Sequence, residues 1–286
     1  MADKTGLVVE GGGMKCAYSA GILDRFLDDA IFFDECIGVS AGAGNVASYL
    51  AGQRGRNLRF YSDHIGDPEY AGVRNYIRHG SYFNLPYVYG TLSNSTGVDP
   101  FDYAAALANP AEFLLTTTDA ETGEPRYFRK EEMHPDDYRV IMASCAIPGF
   151  CKPIEIDGRL YYDGGASDSI PLARAFADGC DKAVVILENP RSFVRPPQKY
   201  KAGYHFLLRK YPKIVERIDE RHVAYAKVQK FVYEMERAGR AFVFAPSDMA
   251  GVTTSSSDAG LMRRLYDVGV ADYEKDREAL LAFLGR

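Results

Sequence analysis

The 286-residue sequence predicts an α/β fold on a mostly parallel sheet, followed by a mainly helical C-terminal extension. Three observations carry this expectation. A strand, a glycine turn, a helix, a strand and a second helix follow one another within the first fifty residues. Short apolar runs bounded by turn residues recur downstream, and after Pro196-Pro197 the chain becomes helical and basic. With 47% hydrophobic and 26% charged residues, the chain can bury one large α/β domain or two modest ones. We place the boundary at 190, with one α/β domain over 1–190 and a basic helical extension over 191–286 packing on it.

Gly6-Leu7-Val8-Val9-Glu10 is short and apolar, as a buried parallel strand must be, and Gly11-Gly12-Gly13 ends it. From Lys15, the residues Tyr18, Ile22, Leu23, Phe26 and Leu27 recur at helical spacing opposite Asp24, Arg25, Asp28 and Asp29. Cys36 to Val39 reads as the next strand, and Ala41 to Ala51, rich in small residues, as a close-packed helix. Further strands are predicted at Phe113–Thr118, Tyr127-Phe128, Ala183–Leu187 and Ala241–Ala245. Pro135 marks a helix start and Pro148-Gly149 its end; Asp157-Gly158 then turns a hairpin that leads to Asp163. Two short helices finish the chain, Asp258 to Val268, stopped by Gly269, and Asp272 to Leu284.

The composition narrows the function. No apolar run reaches the ~20 residues that cross a bilayer, and MADKTGLVVE lacks the features of a signal peptide, so a cytoplasmic location is expected. The five cysteines show no CxxC or Cys/His spacing, which argues against a disulfide framework or a zinc site. A net charge of −5 disfavours nucleic acid as a partner. That charge is uneven: residues 191–240 hold 13 Lys/Arg against 5 Asp/Glu, a patch suited to an anionic surface.

Gly38-Val39-Ser40-Ala41-Gly42 is a G-x-S-x-G sequence between a predicted strand and a predicted helix, the setting of a nucleophile elbow. The competing reading is a tight turn whose serine only caps the helix. Strands one and two are joined by a helix and hence parallel, so Gly11 to Gly13 open on the same sheet edge as Ser40. Exposed N–H groups there suit an oxyanion. Gly11-x-Gly13 with Asp34 or Glu35 further on also hints at dinucleotide binding, but Cys16 stands where the third glycine belongs. Asp163-Gly164-Gly165 puts a carboxylate at a strand end with two glycines turning the backbone away; absent a histidine, it would have to take the serine proton itself. A turn aspartate is the plainer alternative. A Ser-His-Asp triad competes too, although His64, His79, His134, His205 and His222 all lie outside glycine-bearing strand-end loops.

In this order, GGGMK, GVSAG and DGG resemble the patatin-like phospholipases, with TTTDAETGEP and ASCAIPGF between them similar to bacterial members; the likeness covers about residues 5–190. The resemblance implies a three-layer α/β/α sandwich and acyl-enzyme chemistry on phospholipids, lysophospholipids or simpler acyl esters, without cofactor or metal. It assigns Ser40 as nucleophile, Asp163 as base and Gly11, Gly12 and Gly13 to the oxyanion hole, with Gly38, Gly42, Gly164 and Gly165 shaping the two turns. Lys15 takes the family's basic position, where it could contact a substrate phosphate or simply be solvated. The family's next glycine is Cys16 here, which leaves the loop conformation open. Acyl transfer from the same acyl-enzyme, and lipid binding without useful catalysis, are the rival functions.

Two stretches bear on substrate. Ser81 to Tyr89 gathers four aromatics around Pro86, fit for an acyl channel, a lid or plain core packing. Lys199 to Tyr211 interleaves bases, aromatics and leucines, as peripheral membrane contact or an amphipathic helix would. Asp99 and Asp102 read as turn and capping groups.

Overall fold

The computed structural model describes residues 3–286. In chain order the strands are β1 (Thr5–Val9), β2 (Glu35–Val39), β3 (Glu112–Asp119), β4 (Pro125–Arg129), β5 (Ile154–Ile156), β6 (Arg159–Asp163), β7 (Lys182–Ile186) and β8 (Ala241–Phe244). The helices are α1 (Ala17–Asp28), α2 (Ala41–Leu50), α3 (Arg56–Ser62), α4 (Val73–His79), α5 (Tyr103–Ala108), α6 (Arg139–Ser144), α7 (Leu172–Ala177), α8 (Lys201–Leu207), α9 (Pro212–Arg237) and α10 (Ala259–Leu284).

All eight strands form one sheet in the order β5-β6-β3-β2-β1-β7-β8, with β4 also on β3. The pairs among β3, β2, β1, β7 and β8 are parallel; β4, β5 and β6 run antiparallel. Alternation along each central strand divides the apolar residues between two faces. Leu7, Val9, Cys36, Leu115 and Ile186 meet the layer that contains α1, α2 and α10. Val8, Ile37, Leu114 and Val185 meet α7 and α9, through residues such as Leu172, Tyr225 and Val232. The result is a three-layer α/β/α sandwich with helices covering both faces. The C-terminal part contributes to every layer, since β8 extends the sheet beside β7 while α9 and α10 lie on opposite faces.

Two helices differ from expectation. The helix expected from Pro135 is confined to α6, because residues 134–137 close a small bridged turn first. At the C-terminus, one helix of 26 residues replaces the two expected, and Gly269 lies inside it. There glycine permits contact, not termination: a Cβ on Gly269 would overlap the Tyr18 carbonyl of α1, and one on Gly21 would overlap the Tyr266 carbonyl of α10. The two helices therefore cross with their backbones in contact, a geometry only a missing side chain permits.

Candidate active site

Strand order changes direction at β1, with β2 on one side and β7 on the other, so the loops leaving these carboxyl ends part to open a crevice. Ser40 stands at the end of β2, with φ 55° and ψ −134°. This is a sparsely populated conformation for a residue with a side chain, of the kind that costs on the order of 1–3 kcal/mol and turns a hydroxyl out of the strand-to-helix corner. Gly42 lets α2 pass within reach of the Glu10 carbonyl, and Gly38 lets it pack against Ala43, contacts a Cβ at either position would block. The Ser40 N–H donates to Ser144 Oγ at 2.9 Å, and Ser144 Oγ donates to the Thr116 carbonyl at 2.7 Å. Ser144 thus ties the strained corner to β3.

The carboxylate arrives by strand register. Val39 of β2 lies opposite Thr116 of β3, and Asp163 of β6 lies opposite the next residue, Thr117. Since β4 occupies the other edge of β3 over Leu114–Thr118, β2 and β6 meet end to end along one edge. Ser40 and Asp163 therefore converge across 123 residues of sequence, and Ser40 Oγ donates to Asp163 Oδ2 at 2.6 Å. Asp163 Oδ1 accepts the Gly165 N–H at 2.7 Å, which fixes the carboxylate's orientation. Both side chains are buried. Burial holds the Asp163 carboxyl above its ordinary range, against the opposing influence of Ser40, the Gly165 N–H and the Arg221 cation.

Gly11, Gly12 and Gly13 curl over Ser40. A Cβ on Gly11 would lie 2.8 Å from Ser40 Cβ, so only glycine allows this approach. Among the described residues no protein acceptor takes the N–H of Gly11, Gly12 or Gly13, leaving those donors to the cavity. The turn continues as a 3₁₀ segment, Gly13–Cys16. Cys16 has φ −67° and ψ 0°, which an L-residue adopts freely, and its buried thiol sits 3.8 Å from the Glu10 carbonyl. The loop therefore tolerates cysteine where the sequence left its conformation open.

These groups line a cavity of about 290 Å³ that also receives Lys15, Phe150, Ile147 and, from the C-terminal part, Arg195, Gln198, Ile218, Arg221, Thr254 and Ser255. A smaller apolar recess of about 30 Å³ opens from Ser40 between Phe83, Leu85, Val88, Tyr89, Cys145 and Ile147. The aromatic stretch thus does two things at once, packing in the core and walling this recess. Lys15 faces the cavity, but its ammonium donates to Asn189 Oδ1 at 2.7 Å. None of the five histidines lines either space. Asp99, read as a turn group, instead binds Arg59 at 2.7 Å and lies 3.7 Å from Arg56, while Asp102 caps α5. No group of His, Cys, Asp and Glu side chains among the described residues forms a metal site.

Behind the glycine turn lies a buried acid pair that sequence reading missed. Glu10 accepts the Glu188 N–H at 2.7 Å and the Tyr225 hydroxyl at 2.8 Å, and both Glu188 carboxyl oxygens lack a hydrogen-bond partner. Burial, with Glu10 nearby, pushes the Glu188 carboxyl well above its ordinary 4.5, against the opposing pull of the Lys15 cation. A carboxyl whose pKa is raised by folding binds its proton more tightly in the folded state, so the stability it lends is complete below its unfolded pKa and is lost as pH rises through the folded one. Glu188→Gln should therefore unfold at a higher urea concentration than wild type at pH 8. The gap should close as pH falls towards 4.5, the ordinary value. A gap that widens on acidification would show that Glu188 is folded as a carboxylate.

A three-layer α/β/α sandwich carrying a strained serine corner, a strand-end aspartate and a glycine turn is the architecture of a patatin-like protein. The family model described as patatin-like phospholipase matches residues 7–176, more than half of the chain, and the chain belongs to that family. Membership supports lipid hydrolase activity in general terms. A second model, described as a domain of unknown function (DUF6363), matches residues 211–285. The chain is 28% identical over 268 residues to the uncharacterized protein YjjU of Escherichia coli K12, covering 92% of this chain and 74% of that one. It is 32% identical over 80 residues to the uncharacterized NTE family protein Rv1063c of Mycobacterium tuberculosis H37Rv, covering 28% of this chain and 21% of that protein. Among solved structures, VipD from Legionella pneumophila aligns at a TM-score of 0.48 and 12% identity over 96% of this chain and 66% of its own.

Proposed function

We propose that this protein is a serine acyl hydrolase acting on phospholipids, lysophospholipids or simpler acyl esters, with Ser40 as nucleophile and Asp163 as general base. The observation that carries this reading is the 2.6 Å hydrogen bond from Ser40 Oγ to Asp163 Oδ2 beneath the glycine turn. Asp163 takes the hydroxyl proton as Ser40 attacks the ester carbonyl, and the Gly11–Gly13 N–H groups hold the oxyanion. Collapse expels the alcohol with that proton and leaves an acyl-Ser40 ester. Asp163 then deprotonates a water, which releases the acid and restores the serine. The apolar recess beside Ser40 suits the first carbons of the acyl chain.

Delivery of a lipid fits the surface flanking the cavity. Val194, Tyr200 and Phe206 are 80%, 88% and 66% exposed, and the same stretch of chain carries Lys199, Lys201, Arg209 and Lys210, with the Arg209 guanidinium over the Phe206 ring. Exposed apolar and aromatic residues among cations suit peripheral contact with an anionic membrane. Among the described residues, no helix is long and apolar enough to cross a membrane.

A fluorophosphonate probe tests the nucleophile. Covalent labelling of wild type should map to Ser40 and vanish in Ser40→Ala; labelling that persists in the variant, or none in the wild type, removes Ser40 from this role.

A further inference from the structure

Three cations face the cavity, Lys15, Arg195 and Arg221, against a single carboxylate, Asp163, which the proposed chemistry needs for proton transfer. Lys15 is held by Asn189, while neither arginine makes an ion pair with a described acid, and the Nε of each is buried without a hydrogen-bond partner. Arg195 is held in place by packing instead, its guanidinium lying 4.3 Å from the Tyr225 ring centroid and 5.5 Å from that of Phe193. Arg221 reaches in from α9 to 3.2 Å from where a Cβ on Gly165 would stand, beside the turn that carries Asp163. Two guanidinium groups that share one cavity, each with a buried, unpartnered Nε and no salt bridge, repel each other unless an anion joins them, and planar forks match phosphate oxygens two at a time.

We propose that Arg195 and Arg221 form a phosphate subsite that selects acyl esters whose alcohol part carries a net-anionic phosphate over those whose phosphate is neutralised by a quaternary ammonium. This rests on the acyl hydrolase reading above. Position supports it: Arg221 borders the Asp163 turn, so the bound anion lies near the scissile ester, while the apolar recess opens from Ser40. Charge supports it as well. A trimethylammonium group would enter a space where Asp163, engaged with Ser40, is the sole carboxylate among three cations.

The catalytic test uses short-chain diacyl substrates below their micelle concentrations, so that membrane attraction plays no part. Wild type should show a kcat/KM at least tenfold higher for the phosphatidate than for the phosphocholine of the same chain length, measured on the pH plateau. In Arg195→Gln and Arg221→Gln that ratio should fall at least tenfold, chiefly through KM; Arg221→Lys, which keeps the charge and loses the fork, should fall between. Equal wild-type rates on the two lipids, or a ratio that neither glutamine variant changes, overturns the proposal.

Binding is tested apart from turnover by titrating Ser40→Ala with inorganic phosphate and with the short-chain phosphatidate. The lipid should bind more tightly than phosphate, and Arg195→Gln in the same background should weaken both at least tenfold. Phosphate binding tighter than the lipid would make this a free-phosphate site and overturn the head-group assignment, as would lipid binding indifferent to Arg195. Because these titrations need no hydrolysis, loss of the hydrolase reading and loss of the subsite are read separately.

Discussion

Asparagine at position 163 is expected to lower kcat on a p-nitrophenyl acyl ester by about 10³–10⁴-fold while the protein keeps its fold. Asparagine preserves the shape of the side chain and can still hydrogen-bond Ser40, but it cannot accept the proton. No histidine lines the cavity to take over that task. On the proposed mechanism the same group should set the acid limb of the wild-type pH profile. A base acts only when ionised, so activity is lost as pH falls through the Asp163 pKa, and burial puts that limb above the ordinary carboxylate value of 3.8. Arg221 is one of the influences that lower this pKa, and Arg221→Gln should move the limb to higher pH. Undiminished turnover in Asp163→Asn, checked by stopped-assay kinetics beside circular dichroism, would remove the carboxylate from the mechanism.

Gly269→Leu should destabilise the whole protein by about 3 kcal/mol or more, read as a lower urea midpoint. The reason is the backbone contact between α1 and α10: a side chain at 269 has to push into the Tyr18 carbonyl, and α1 forms part of the layer against the central sheet. Gly203→Ala provides the contrast. Gly203 is also helical, yet a Cβ there meets nothing within 4 Å, so alanine should raise stability by about 0.4–1 kcal/mol. Equal midpoints for Gly269→Leu and wild type would mean that the helices do not cross as described.

The contrast between these two glycines explains how much could be read in advance. In one dimension both are glycines in helical stretches; what separates them is whether another helix passes. Gly269 read as a stop because turn chemistry is local, whereas its reason is a carbonyl 251 positions away in sequence. The G-x-S-x-G corner, the glycine turn and the strand-end Asp163 were legible for the complementary reason: each is a local backbone device, with a residue type required by a turn. The class of fold was legible too, because burial on both faces imposes continuous apolar strands and helical crossovers that appear as patterns along the chain.

Ser144, Glu188, Arg195 and Arg221 carried no such pattern. Serine in a short helix, glutamate after a strand and arginines in a basic stretch each have an ordinary surface reading. Their roles come from neighbours: Ser144 from the Ser40 N–H, Glu188 from Glu10, the arginines from the cavity they enter. The sequence by itself thus determined the α/β class, the family and the turns that carry Ser40 and Asp163, since these follow from short-range sterics and periodic burial. Tertiary structure alone decided that β2 and β6 meet end to end on β3, that α10 runs unbroken across α1, and that two distant arginines face the cavity. Those outcomes depend on which surfaces meet in space, a property of packing that no window along the chain contains.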